Sequence, residues 1–181
     1  MAEAYDFPET GTVVDVGDGL GGLLVEILRR RPGLGGVLFE LASALPDHVL
    51  GELGDDSRVR AQVGDFFGSV PPADVHVLEY VLHDWTDEQC ARISRNCRRA
   101  LNEGGRVVVV DAALPSGNEP HFGKLLDLMM MVAVPGGERT EADFARLFDQ
   151  AGLRLTRALP TDGSLSIVEG VPRCGARPVR C

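Results

Sequence analysis

Short apolar runs alternate along this chain with segments whose apolar residues recur at helical spacing. The alternation predicts a parallel β-sheet covered by helices on both faces. The predicted strands are Thr12–Val16, Val37–Glu40, Val59–Val63, Val75–Val81, Arg106–Ala112, Leu153–Ala158 and Leu165–Gly170. The predicted helices are Leu23–Arg31, Leu45–Leu53, one that Thr86 caps and Asn102–Gly105 ends, Leu125–Val134, and one that Thr140 caps.

The last two predicted strands lie close enough in sequence to form a hairpin. We therefore expect five parallel strands with an antiparallel pair added at one edge of the sheet. With 181 residues, 44% of them hydrophobic, the chain is long enough for one well-buried domain. We assign residues 1–172 to that domain and expect residues 173–181 to form a disordered tail.

The formal net charge is −9, and the Lys and Arg residues are scattered. This distribution argues against a nucleic-acid partner, which would require a basic stripe. The longest apolar run, Leu128–Val134, is far shorter than the roughly 20 residues that cross a bilayer. Because the start of the chain also lacks a signal-peptide pattern, we expect a cytoplasmic, soluble protein without a membrane partner.

The four cysteines follow no metal-ligand spacing. Cys90 and Cys97 share one face of a predicted helix, whereas Cys174 and Cys181 lie in the predicted tail. We expect two core thiols and two incidental thiols, with neither a disulfide nor a metal site.

The segment Asp15–Gly22, with the sequence DVGDGLGG, contains four glycines in eight residues. Gly17, Gly19 and Gly22 satisfy the pattern G-x-G-x-x-G, which is typical of dinucleotide-binding loops. The carboxylates of Asp15 and Asp18 would, however, repel a pyrophosphate at this position. The loop therefore favours a cationic or zwitterionic ligand.

Polar residues occur at the carboxyl end of each of the first five predicted strands. In open α/β sheets, ligands bind at this edge. Glu40 follows the glycine loop by about 20 residues, where a carboxylate can accept hydrogen bonds from ribose hydroxyls. Taken singly, each of these acids could instead cap the helix that follows its strand and have no contact with a ligand. The residues at these ends are Asp15, Glu40, Asp65, His83 with Asp84, and Asp111.

Six segments occur in the order and spacing of a known family. They are VVDVGDGLGG, LFEL, VGDFF, VLHDW, EGGRVVVVDAALP and PGGERTEADFARLFDQAGL. Together they resemble the S-adenosylmethionine-dependent O-methyltransferases that act on plant phenolics and bacterial polyketides. The resemblance covers about residues 12–171 and implies an α/β class I methyltransferase fold. This fold is a Rossmann-like, doubly wound sheet of order 3-2-1-4-5-7-6, with strand seven antiparallel.

The resemblance also implies a cofactor, S-adenosylmethionine, and residues that hold it. Gly17 and Gly19 match the loop that contacts the methionine part, and Glu40 matches the acid that binds the ribose. Asp65 and Phe66 match the pair that contacts the adenine. An acceptor beside an aromatic ring suits an adenine amino group and its π-face, although Phe66 could instead be a core residue.

His83 matches the catalytic base of the family, and Asp111 and Glu138 match the two acids that flank and orient it. An imidazole with a pKa of about 6.5 can accept the proton of a phenol with a pKa of about 10 when a carboxylate stabilises the resulting cation. The alternative is that His83 only caps or packs against the following helix.

The expected partner is a small hydroxylated aromatic substrate. Asp84, Met129 and Met130 are candidate contacts to it, since flexible thioethers accommodate flat rings. The alternative for the methionines is that they fill the core under a buried helix.

Several departures from the family keep another function open. Asp18 stands where the family loop commonly has glycine, and Glu79 stands where many members have lysine. The helical dimerisation region that precedes strand one in the family is missing, so a homodimer stays an open question. The alternative function is a non-catalytic module that binds the cofactor or a partner. An NAD-dependent oxidoreductase rests on the glycine motif alone and is disfavoured by Asp15.

Overall fold

The computed structural model describes residues 2–161 and 163–173, which form a seven-stranded sheet with helices on both faces. The strands are β1 (Gly11–Val16), β2 (Leu34–Glu40), β3 (Val59–Val63), β4 (Ala73–Glu79), β5 (Leu101–Asp111), β6 (Ala113–Leu114), β7 (Arg139–Thr140), β8 (Leu153–Pro160) and β9 (Ser166–Pro172). The helices are α1 (Gly22–Arg30), α2 (Asp87–Ala100), α3 (Phe122–Ala133) and α4 (Glu141–Ala151).

The strand order of the large sheet is β3-β2-β1-β4-β5-β9-β8. The first five strands are parallel, and β9 is antiparallel to both of its neighbours. Counted among these seven strands alone, the order is 3-2-1-4-5-7-6 with strand seven antiparallel. The class I methyltransferase fold implied by the sequence is thus confirmed. Because the first five strands are parallel, their carboxyl ends meet at one edge of the sheet.

Two apolar layers lie on opposite faces of the sheet, since Val107 and Val109 belong to one layer and Val108 and Val110 to the other. The first layer lies beneath α2 and α4, and the second lies beneath α1. Burial of each large aliphatic or aromatic side chain contributes about 1.5–3 kcal/mol. The two layers therefore fix the central strands, and with them the loops at the carboxyl edge.

Both predicted threonine caps are present. The Thr86 hydroxyl accepts from the Gln89 N–H and that of Thr140 accepts from the Asp143 N–H, each within a full capping box. The boundaries of α2 and β5 differ from the prediction. The helix ends at Ala100, and β5 is assigned from Leu101. Its pairing with β4 shifts between Leu101 and Arg106, where Gly104 has a φ of 77°, so an irregular stretch precedes the regular part of the strand.

Two other predicted elements need correction. The helix predicted over Leu45–Leu53 is wrong, because this segment forms two short 3-10 helices, Leu45–Asp47 and Leu50–Leu53. The extended backbone of His48 separates the two turns, and Gly51 in the second turn disfavours a continuous α-helix. The short pair β6–β7 was not predicted, since two residues per strand are too few to show a period.

The cysteines and the membrane prediction can be checked only in part. Cys90 and Cys97 are buried, free thiols in α2, as expected. Cys174 and Cys181, and the predicted tail beyond Arg173, lie outside the described residues. Among the residues that the structure describes, no helix combines the length and apolar character needed to cross a bilayer.

Candidate active site

The glycine loop after β1 has a backbone that favours glycine. Gly17, Gly19 and Gly21 have φ angles of 81°, 78° and 80°, in the left-handed region that L side chains rarely adopt. A Cβ on Gly17 would also come within 3.1 Å of the Phe66 ring. The loop therefore packs tightly and leaves its backbone accessible to a ligand.

Glu40 connects this loop to the end of β2. Its Oε2 accepts a hydrogen bond from the Gly19 N–H at 3.2 Å, and its Oε1 accepts one from the Leu41 N–H at 2.6 Å. The side chain is buried, with the residue 7% exposed. Each carboxylate oxygen has two acceptor sites, so Glu40 can still accept from two ribose hydroxyls.

Asp65 and Phe66 follow β3 on the same edge. Asp65 is exposed, and its Oδ1 accepts from the Phe67 N–H at 2.8 Å. The Phe66 ring packs against Phe67 at 4.9 Å and against Trp85 at 6.0 Å between ring centroids. Phe66 is only partly buried and packs against the core, so its ring both supports the core and borders the loop.

Three carboxyl groups lie beside the glycine loop. Asp15 is 1% exposed, and neither of its oxygens hydrogen-bonds to any of the described residues. Burial and the nearby charges of Asp18 and Glu79 raise the pKa of Asp15 well above its usual value. Burial, together with the charge of Asp18, raises the pKa of Glu79 to about 7. A cation at this loop would favour the ionised forms of these carboxyl groups, so the preference for a cationic ligand stays a prediction.

His83 lies in a 3-10 turn, Leu82–Asp84, just beyond β4. Its Nδ1 is 3.0 Å from Oε1 of Glu138, and its Nε2 is 3.6 Å from Oδ1 of Asp84. Burial lowers the pKa of His83, but the hydrogen bond to Glu138 and the negative charges of Asp111 and Glu138 outweigh it. The net effect raises the pKa of His83 above its usual value.

Asp111 and Glu138 complete the cluster around His83. Asp111 ends β5 at 1% exposure, and neither of its oxygens has a hydrogen-bond partner within the described part of the chain. Burial raises the pKa of Asp111 to about 8, although the His83 charge lowers it. The Glu138 side chain is fully buried, and its backbone N–H donates to Oδ1 of Asp127 at 2.9 Å. The structure thus brings together all three predicted catalytic residues.

The predicted substrate contacts lie near this cluster but are more exposed. Met129 on α3 is 60% exposed, so the alternative that it fills the core is wrong; Met130 is partly buried. Asp127 on the same helix contacts Glu138, which places α3 at the edge that carries His83. A role of Met129, Met130 and Asp84 in acceptor binding stays a prediction.

Sequence reasoning assigned no role to two residues at this site. Tyr80 has a φ of 53°, is 46% exposed, and places its ring 5.4 Å from the His83 ring. Arg139 is 6% exposed and contacts the backbone on either side of His83. The sequence prediction placed Tyr80 within a strand. A left-handed backbone can be expected from sequence only at glycine and, less often, at asparagine or aspartate, so nothing indicated it at a tyrosine. In the sequence analysis, Arg139 was only one letter of the family motif GGERT, and no contact was assigned to it.

The acids at this edge are not arranged around a metal. Among residues 2–161 and 163–173, no group of three or more His, Cys, Asp or Glu side chains has the geometry to hold a metal ion.

Comparison with known proteins places this geometry in a family. The family model described as an O-methyltransferase domain matches residues 1–154. Phenazine O-methyltransferase PhzM of Lysobacter antibioticus is 45% identical over 176 residues, which cover 95% of this chain and 51% of that protein. The mitomycin biosynthesis 6-O-methyltransferase of Streptomyces lavendulae is 37% identical over 184 residues, with 99% and 48% covered.

Solved structures agree with these relatives. A methyltransferase of calicheamicin biosynthesis in its SAH-bound form has a TM-score of 0.92 and 49% identity, covering 95% of this chain and 52% of that one. An O-methyltransferase of neocarzinostatin biosynthesis, in complex with S-adenosyl-L-homocysteine and 1,4-dihydroxy-2-naphthoic acid, has a TM-score of 0.85 and 38% identity, with 95% and 52% covered. The chain spans about half the length of these relatives. By fold, site and similarity, it belongs to the O-methyltransferase domain family.

Proposed function

We propose that this chain binds S-adenosylmethionine and transfers its methyl group to a hydroxyl of a small aromatic molecule, with His83 as the general base. The observation that carries the proposal is the 3.0 Å contact between His83 Nδ1 and Glu138, beside the buried Asp111. This cluster shares the carboxyl edge of the sheet with the glycine loop and Glu40.

The residues at this edge fit the cofactor. The ammonium and sulfonium groups of S-adenosylmethionine are cationic, and the unpaired oxygens of Asp15 can accept from an ammonium group. Glu40 would bind the ribose, and Asp65 with Phe66 would border the adenine. When bound, the cofactor supplies a methyl group that is already activated on sulfur. The protein then needs only to align an acceptor oxygen and remove its proton.

The contacts of His83 define how it can accept that proton. A neutral imidazole that donates from Nδ1 to Glu138 leaves its lone pair on Nε2. The nearest acid to Nε2, Asp84, is 3.6 Å away, too far for a good hydrogen bond. Nε2 is therefore free to take the acceptor proton, and the charge of Glu138 then stabilises the imidazolium; Asp111, whose pKa is about 8, adds to this when it is ionised.

The acceptor class follows from the relatives and from the local surface. Related proteins carry names for phenazine and mitomycin methylation, and one related structure holds a dihydroxynaphthoic acid. Exposed apolar side chains on α3, including Leu128 and Met129, would offer such a ring an apolar surface.

The acidic pair Asp18 and Glu79 supports a second candidate, a module that binds a cofactor or a partner without turnover. Their charges would repel the carboxylate of the cofactor if both stayed ionised. Glu79, with a pKa of about 7, can instead hold a proton near neutral pH, which reduces this repulsion.

The test measures cofactor binding by calorimetry and methyl transfer to 1,4-dihydroxy-2-naphthoic acid and other hydroxylated aromatics. We expect His83→Ala to abolish transfer while the affinity for S-adenosylhomocysteine stays nearly native. His48→Ala is the matched control, since the His48 side chain is exposed and lies in the segment after β2, outside the His83–Glu138–Asp111 cluster. Full activity in His83→Ala would remove His83 from the mechanism. Binding without transfer, even after the length typical of the relatives is restored, would favour the second candidate.

A further inference from the structure

Arg139 is a buried arginine whose guanidinium group is fully engaged. Its Nη1 donates to the Leu82 carbonyl oxygen at 2.8 Å, and its Nη2 donates to the Trp85 carbonyl oxygen at 2.8 Å. Its Nε donates to Oδ1 of Asp87 at 2.9 Å, and Nη1 also reaches the Gly137 carbonyl oxygen at 3.3 Å. The residue is 6% exposed. Because the guanidinium is planar and rigid, these contacts fix the acceptors relative to one another.

Two of these contacts bracket His83. Leu82 precedes His83, and Trp85 follows it by two residues, so the guanidinium holds both ends of the 3-10 turn that carries the imidazole. Arg139 also directly follows Glu138 in sequence. One side chain therefore fixes the backbone beneath both members of the His83–Glu138 pair.

The segment before Glu138 packs equally closely against the same turn. A Cβ on Gly136 would lie 2.1 Å from the His83 carbonyl oxygen and 2.6 Å from the backbone of Asp84. The distance between His83 and Glu138 is thus sensitive to any movement of these two backbone segments. Misplacing a catalytic group by about 1 Å can reduce a rate by about 100-fold.

The contacts of Arg139 to carbonyl oxygens matter more than its ion pair. The Asp87 side chain is 58% exposed, and ion pairs with exposed partners contribute about 0–1 kcal/mol. The Leu82 carbonyl oxygen also accepts from the Trp85 N–H at 3.2 Å, and both carbonyl oxygens accept from the Cys90 thiol at 3.1 and 3.4 Å. The guanidinium adds a charged donor, at 2.8 Å, to each of them. A lysine would carry the same charge but could not reproduce the two-pronged contact.

We propose that Arg139 is a positioning residue that holds the His83 turn against the Glu138 segment. It does not touch the reacting atoms and acts only through the His83–Glu138 pair. The role in catalysis rests on the proposed function, whereas the geometric role can be measured without turnover.

The experiment compares Arg139→Lys and Arg139→Gln with the native chain, all with S-adenosylhomocysteine present. The matched control is Arg146→Lys, because Arg146 is 59% exposed and also pairs with Asp87. NMR titration follows the imidazole signals of His83, calorimetry gives the cofactor affinity, and a methyl-transfer assay gives kcat and KM. His83→Ala identifies the His83 signals.

In both Arg139 variants we expect the pKa of His83 to fall, because the imidazole loses its fixed carboxylate partner. We also expect kcat to fall by about 10- to 100-fold, with KM for the cofactor and the affinity for S-adenosylhomocysteine within about twofold of the native values. Arg146→Lys should match the native chain in every measurement.

A native His83 titration curve in folded Arg139→Lys would overturn the proposal. Loss of folding in both variants would also overturn it, because the role proposed is one that the fold survives. Failure of the proposed function would appear differently, as absence of methyl transfer by the native chain while the His83 titration still responds to Arg139.

Discussion

Asp111 is a buried carboxyl group whose cost to the fold can be measured. Both of its oxygens lack hydrogen-bond partners among the described residues, and its pKa is raised from 3.8 to about 8, chiefly by burial. Between these two pH values the folded chain holds a proton that the unfolded chain releases. The stability of the native chain therefore falls as pH rises through this window. Replacing Asp111 by the neutral, isosteric asparagine removes that dependence.

The size of the effect follows from the shift. One pKa unit corresponds to 1.36 kcal/mol, so the raised pKa of Asp111 costs the fold about 2 kcal/mol at pH 5 and about 4 kcal/mol at pH 7. We therefore expect Asp111→Asn to be more stable than the native chain, by a margin that grows by about 2–3 kcal/mol between these pH values. If Asp111 has the proposed role beside His83, this gain in stability should come with reduced activity.

Urea unfolding, followed by circular dichroism at pH 5 and pH 7, measures this margin directly. The matched control is Asp47→Asn, because Asp47 is exposed and its replacement should change stability by less than about 0.5 kcal/mol at either pH. If the native chain and Asp111→Asn showed parallel pH dependence, Asp111 would not be held in the protonated form by burial. Asp111 would then be an ionised neighbour of His83 instead of a buried neutral acid.

Three further predictions concern the cofactor loop and the core. Glu40→Ala should weaken S-adenosylhomocysteine binding by about 1–3 kcal/mol, and calorimetry showing native affinity would count against a ribose contact. Burial lowers the pKa of His76 from 6.5 to about 4, so below pH 6.5 the unfolded chain takes up a proton that the folded chain does not. Between pH 7 and pH 5, the native chain should therefore lose about 2 kcal/mol more stability than His76→Gln. Equal losses in urea unfolding would refute this. Glu79 has a pKa of about 7 and its charge would repel the carboxylate of the cofactor, so the affinity for S-adenosylmethionine should fall by about 1 kcal/mol as pH rises from 6 to 8; calorimetry that finds the same fall in Glu79→Gln would refute this.

The sequence was sufficient to place the site because its residues follow strand ends. Parallel strands share one carboxyl edge, so Glu40, Asp65, His83 and Asp111 were expected to converge once the alternation of strands and helices was recognised. Glu138 lies in a loop beyond α3, where no strand end points to it. Only the resemblance to a family placed it beside His83.

The features that sequence reasoning missed depend on the path of the backbone. Arg139 contacts carbonyl groups of Leu82 and Trp85, and any residue type provides a carbonyl group. Tyr80 takes a left-handed backbone that its residue type does not indicate. In Leu45–Leu53 the apolar spacing resembled a helix, but the backbone becomes extended at His48, between the two short turns.

The central claim is that the cofactor and His83 meet at one edge of the sheet. The most direct test is an intermolecular NOE measurement with S-adenosylmethionine carrying a ¹³C-labelled sulfonium methyl group. We expect NOEs from this methyl group to the imidazole protons of His83 in the native chain, and their loss in His83→Ala with binding retained. Saturable binding whose methyl NOEs all lead to residues at the amino ends of the strands would contradict the claim.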